Sequence, residues 1–178
     1  MGARHKKVII IGSAGAGKST LAKRLGPLLG LGVFHLDALF WKPGWVQTPR
    51  DEWRALQQEL LARDSWLIDG NYGSTLELRL AAADTVIFMD FPRWLCLWRV
   101  FNRRIQYRGR TRSDMGPGCP EHIDWEFFRW VWRFPLVERP EVLWKLDQYA
   151  RGKTVYHLRS PAEVRRFLAE IEARPGAG

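Results

Sequence analysis

The sequence predicts an α/β fold built on a parallel sheet, and three observations carry that prediction. Gly12-Ser13-Ala14-Gly15-Ala16-Gly17-Lys18-Ser19 fits the phosphate-binding pattern G-x-x-x-x-G-K-[ST]. It stands between a β-branched run, Val8-Ile9-Ile10-Ile11, and a segment with Leu21, Leu25 and Leu28 on one helical face. Downstream, short apolar runs and helix-period segments alternate to the end of the chain, the pattern of consecutive βα units.

The loop comes first because strand, glycines and helix work together there. Its glycines allow successive N–H groups to converge on phosphate oxygens, and the following helix presents the positive end of its dipole to the same anion. Gly12, Ser13, Ala14, Gly15, Ala16, Gly17, Lys18, Ser19 and Thr20 are therefore the candidate ATP-binding residues. Lys18 is expected to reach the β- and γ-phosphates, and the Ser19 hydroxyl to take one position on Mg2+. The extra glycine at Gly15 resembles the loop of small-molecule and nucleotide kinases more than that of GTPases or motor ATPases.

Gly32 to Asp37 reads as a second strand ending in a carboxylate, where ligands of parallel sheets bind. An aromatic loop follows, from Ala38 through Trp41 to Trp45. His35-Leu36-Asp37-x-x-Phe40 resembles the acceptor-side motif of nucleoside-type kinases, in which the carboxylate faces the hydroxyl to be phosphorylated and acts as general base. The plainer reading of Asp37 is a cap on the next turn, and that of His35 is a satisfied core histidine. Thr48-Pro49 is expected to start a helix, Thr48 as cap, with Trp53, Leu56 and Leu60 facing the sheet. Ser65 to Asp69 is the third strand. Its final carboxylate stands where a Walker B residue orders the Mg2+ shell, although Asp-Gly is also an ordinary turn. Asn71 and Tyr72 then point into the acceptor pocket.

Ala82 to Asp90 is the fourth strand, and Pro92 opens a helix running to about Tyr107. Its stretch Trp94-Leu95-Cys96-Leu97-Trp98 predicts burial on more than one side. Between Phe91 and Ser113 there is no acidic residue, but arginines stand at 93, 99, 103, 104, 108, 110 and 112. A solvated basic face is one reading, and a phosphate-binding lid is the other. Glu121 to Phe134 is a helix in which Trp125, Phe128 and Trp132 share a stripe, expected to pack in the core or lid. Pro140 to Ala150 is a further helix, Gly152 to Leu158 the fifth strand, and Ser160-Pro161 caps the last helix.

Composition narrows the setting. The formal net charge is +9, which points to an anionic partner: a nucleotide, nucleic acid or acidic lipid. Two distant cysteines, Cys96 and Cys119, fit no metal or disulfide pattern, and no apolar run is long enough to span a bilayer. A cytoplasmic protein without membrane attachment is the expectation.

Gly12 to Thr20, His35 to Trp45, Trp66 to Tyr72, Asp90 to Arg104 and Tyr107 to Trp132 together resemble the P-loop kinase-like group labelled DNA topology modulation proteins, relatives of adenylate kinase. The resemblance implies a three-layer P-loop fold with strand order 2-3-1-4-5, and one domain over 1–178 with a lid at about 107–132. It implies transfer of a phosphoryl group from ATP, with Mg2+, to a nucleoside or nucleotide. Lys18, Asp37, Arg103, Arg110 and Arg112 would be catalytic. Asp37, Trp41, Asn71, Tyr72 and Arg99 would hold the acceptor, and Ser19 and Asp69 the metal. The alternative is an ATP-binding, DNA-associated regulatory protein, although the residues show no DNA-reading motif.

Overall fold

The computed structural model describes residues 5–109, 114–120 and 124–173. In chain order its first half contains β1 (Lys7–Gly12), α1 (Lys18–Leu29), β2 (Val33–His35), α2 (Leu36–Phe40), β3 (Trp41–Lys42), β4 (Val46–Gln47), α3 (Arg50–Leu61) and β5 (Trp66–Asp69). The second half contains α4 (Leu76–Ala82), β6 (Thr85–Met89), α5 (Arg93–Gln106), α6 (Trp125–Arg133), α7 (Glu138–Tyr149), β7 (Thr154–Leu158) and α8 (Pro161–Glu172).

Five strands form one sheet in the order β2-β5-β1-β6-β7, and every pairing is parallel. Counted among themselves, these strands have the expected order 2-3-1-4-5. β1 explains why the sheet is covered on both sides. Val8 and Ile10 belong to one apolar cluster, with Leu21 and Leu25 of α1 and Phe167 and Leu168 of α8. Ile9 and Ile11 belong to the other, with Trp53 of α3, Leu80 of α4 and Val142 of α7. Alternating side chains face opposite layers of helices, as a sheet buried on both faces requires.

Several local expectations are corrected. The second strand ends at His35, and Asp37 lies in the first turn of α2. The aromatic loop contains that short helix and an antiparallel hairpin of β3 and β4. Thr48 does not cap α3, because Pro49 occupies the cap position. The Thr48 hydroxyl instead donates to the Phe40 carbonyl at 2.7 Å, and its N–H to the same oxygen at 2.9 Å. Ser160 does cap α8, accepting from the Glu163 N–H at 3.2 Å.

Two aromatic faces expected inside are outside. α5 buries only Cys96 and Val100, while Trp94 and Trp98 are more than half exposed. Val131 is the buried residue of α6, whereas Trp125 is 79% exposed and Trp132 44%. A dense aromatic run raises apolar content on every side of a helix, but a side becomes buried only where another element covers it. Both cysteines are free and buried. No helix among the described residues is long and apolar enough to cross a membrane.

Candidate active site

The phosphate loop turns between β1 and α1 against the inner face of α5. Gly15 has φ +77°, and a Cβ built there would run into the Cys96 carbonyl oxygen and stand 3.0 Å from Val100. Only glycine fits that approach without displacing α5. At the loop's end, Lys18 opens α1 and its ammonium donates to the Ser13 carbonyl at 3.0 Å. Burial pulls the Lys18 pKa down from its ordinary value. The charges of Asp37 and Asp69 oppose that effect, and Arg103 adds to it.

Ser19 and Asp69 meet as a metal site would need. The Ser19 hydroxyl donates to Asp69 Oδ2 at 2.8 Å, and Asp69, last in β5, is 3% exposed. One hydroxyl and one carboxylate are hard oxygen donors suited to Mg2+, which takes few protein ligands and completes its shell with phosphate oxygens and water. Among the described residues there is no cluster of three or more His, Cys, Asp and Glu that could hold a metal alone. Asp69 Oδ1 is engaged by His35 Nδ1. His35 is thus satisfied, as its sequence position suggests, and its partner is the carboxylate that also meets Ser19.

Beyond β5 the chain turns through Gly70, where φ is +144° and a Cβ would stand 2.7 Å from Leu36 Cβ. The turn brings Asn71 and Tyr72 beside α2. The Tyr72 hydroxyl donates to Asp37 Oδ1 at 2.9 Å. Burial first, and then the Asp37 charge, push the phenol pKa far up, so Tyr72 stays a donor. Its ring packs against Phe40 and Trp53, with centroids 4.8 and 5.0 Å away. Asn71 Oδ1 is buried without a hydrogen-bond partner among the described residues.

Arg79, which the sequence reading passed over, holds this turn from behind. It is fully buried in α4 and donates from Nη1 to the Gly70 carbonyl at 2.8 Å and from Nη2 to the Tyr72 carbonyl at 2.6 Å. Burial draws its pKa down to about 9, so it stays charged at neutral pH. The available signal was an arginine inside the apolar run Leu76–Ala82.

A cleft of about 750 Å3 joins these parts. Ala14 to Thr20, Asp37, Trp41, Asn71, Tyr72, Arg99 and Arg103 all line it, and Gly12 and Ser13 complete the loop behind. Arg99 donates to the Ala16 carbonyl at 3.0 Å and lies over Phe91, 5.4 Å from its centroid. Arg104 does not line the cleft. Arg110 and Arg112 lie outside the described residues, as do 121–123 within the expected lid. The described part of that segment, 114–120, meets the β3–β4 hairpin: Gly44 N–H donates to the Gly118 carbonyl at 3.0 Å, and Cys119 Sγ to Lys42 O at 3.3 Å. Arg24 of α1 and Arg165 and Val164 of α8 also line the cleft. No short sequence signal marked them.

No family model matches the chain, and no curated protein matches it significantly. Among solved structures, a shikimate kinase from Acinetobacter baumannii, in complex with shikimate, is similar with a TM-score of 0.56 at 16% identity, over 94% of this chain and 90% of that one. A sugar kinase from a Janibacter species is similar with a TM-score of 0.51 at 17% identity, over 98% of each chain. The likeness is one of fold: the chain has the architecture of P-loop kinases. The narrower resemblance to the topology-modulation group stays an expectation from the residues.

Proposed function

We propose that the chain is a phosphotransferase that moves the γ-phosphoryl group of ATP to a small acceptor, a nucleoside or nucleotide. The observation that carries this reading is the meeting, in one cleft, of a phosphate loop with Lys18 and a carboxylate, Asp37, held by Tyr72. The loop's N–H groups and Lys18 hold the triphosphate. Ser19 and Asp69 would hold Mg2+, which when bound neutralises charge on the phosphate oxygens.

Tyr72 fixes one oxygen of Asp37 and leaves the other for the acceptor hydroxyl. Asp37 takes that proton as the acceptor oxygen attacks the γ-phosphorus, and the bond to the β–γ bridging oxygen breaks to release ADP. Arg99 and Arg103 stand on the cleft wall where negative charge builds up, with Arg110 and Arg112 proposed to join them from a lid over 107–132. Asn71 offers an acceptor for an N–H or O–H of the substrate, and Trp41 an apolar wall.

ADP release measured over a panel of nucleosides, nucleotides and small polyols, each with ATP and Mg2+, tests the reading. One class should raise turnover well above basal hydrolysis, and Asp37→Asn should abolish the rise while leaving ATP affinity near wild type. Turnover stimulated by no acceptor, together with ATP-dependent duplex binding, would replace it with the DNA-associated reading.

A further inference from the structure

β2 has three residues and ends level with β5, so that His35 and Asp69 are partners in the parallel register. Partnered side chains of neighbouring strands leave the sheet on the same side, and the imidazole therefore stands beside the carboxylate. Asp69 is held there at both oxygens. His35 Nδ1 engages Oδ1, and the Ser19 hydroxyl donates to Oδ2 at 2.8 Å. The His35 and Asp69 side chains are 15% and 4% exposed, so the carboxylate depends on these donors more than on water.

Two holds on opposite oxygens fix the plane of the carboxylate between a strand end and the first turn of α1, where Ser19 sits. Loss of the ring N–H would leave Oδ1 buried without its donor, which favours rotation of Asp69 toward another cation. Lys18 is a cation within its influence. The Lys18 ammonium donates to the Ser13 carbonyl, and the Asp69 charge acts on it through space. An Asp69 turned toward Lys18 releases Ser19 and competes with nucleotide phosphates for the lysine. A residue that only packed the edge of the sheet could be apolar, as Val33 and Phe34 before it are. An N–H directed at one oxygen of a buried carboxylate adds orientation.

We infer that His35 is a positioning residue for nucleotide-bound Mg2+. Its Nδ1–H pins Asp69 Oδ1, keeps Oδ2 on the Ser19 hydroxyl, and so leaves the Ser19 oxygen and Lys18 for the metal and the phosphates. The inference rests on the reading of Ser19 and Asp69 as the Mg2+ residues.

Isothermal titration with the non-hydrolysable imido analogue of ATP, once with Mg2+ and once with EDTA, tests both. Wild type should bind more tightly with Mg2+. His35→Leu should weaken binding with Mg2+ by about tenfold or more, and leave binding in EDTA within about twofold of wild type. His35→Asn should recover most of the loss, because the asparagine N–H stands as many bonds from Cβ as Nδ1 does. If His35→Leu does not fold, His35→Phe keeps a ring without the N–H and should show the same Mg2+-specific loss. A variant without the N–H that binds as wild type with Mg2+, or that loses as much in EDTA, overturns the inference. Nitrogen-15 NMR of wild type with labelled histidine gives an independent answer. The His35 ring should carry hydrogen on Nδ1, and a bare Nδ1 overturns the inference. Asp69→Ala separates the two levels. If it keeps the wild-type response to Mg2+, the metal reading fails and the inference with it. If it loses that response while the His35 variants keep it, only the role of His35 fails.

Discussion

Lys18 carries a charge that its unliganded surroundings disfavour, since burial outweighs Asp37 and Asp69 in setting its pKa. Its folded pKa lies below the ordinary 10.5, so the folded state binds fewer protons than the unfolded chain as pH nears that value. Stability then rises with pH through the window just below 10.5, and at neutral pH the charge is a net burden on folding. Lys18→Met should therefore abolish transfer and raise the melting temperature of the unliganded protein, which ADP release and calorimetry would check. A fall in melting temperature would contradict the sign. Arg79 predicts the opposite. Its removal strands the Gly70 and Tyr72 carbonyls in the interior, so Arg79→Met should destabilise by about 2–4 kcal/mol. The turn it supports carries Asn71 and Tyr72, so the KM for the acceptor should rise more than the KM for ATP. Equal increases would make Arg79 a purely structural residue.

At the scale of elements, α5 and the phosphate loop form one unit. Because the Gly15 Cα faces the Cys96 carbonyl, Gly15→Ala must push α5 outward or deform the loop. A cost of about 1–3 kcal/mol is expected, with weaker ATP binding in isothermal titration. The segment after α5 should respond to ligands. No acidic residue stands in sequence from Phe91 to Ser113, and substrate phosphates in the cleft would bring negative charge to the arginines that line it, Arg99 and Arg103. Hydrogen exchange over 103–109 and 114–119 is expected to slow when a bisubstrate analogue binds. Unchanged exchange with the analogue, and slowing only with duplex DNA, would remove the lid from the mechanism.

At the scale of the whole molecule, the legible parts were those written in short-range pattern. Ile9 and its neighbours mark a strand buried on both faces, and Gly12 to Ser19 mark the loop, because backbone geometry restricts both to few residue types. The β3–β4 hairpin was not legible: its strands have two residues each, too few for a period, and Trp45 at φ 62° breaks the usual turn preferences. The pairing of His35 with Asp69 joins residues brought together only by the sheet register. The exposed face of α5 has the same apolar pattern as a buried one, since periodicity does not say whether a neighbour exists. Charge shows the same limit. The net charge of +9 suggested an anionic partner without a place for it. Among the described residues, six basic side chains line the cleft, Lys18, Lys23, Arg24, Arg99, Arg103 and Arg165, against two acidic ones, Asp37 and Asp114. Other arginines are held elsewhere, Arg139 by Asp90 and Arg151 by Asp147. A concave, positively lined site draws anions by long-range attraction that salt screens over about 8–10 Å, whereas contacts already made in a closed site are screened much less. The association rate for ATP should therefore fall steeply with ionic strength in stopped-flow fluorescence, while turnover at saturating ATP and acceptor changes little. If turnover at saturation fell as steeply as the association rate, the basic lining would be acting on an open surface, and the closed-cleft account of transfer would fail.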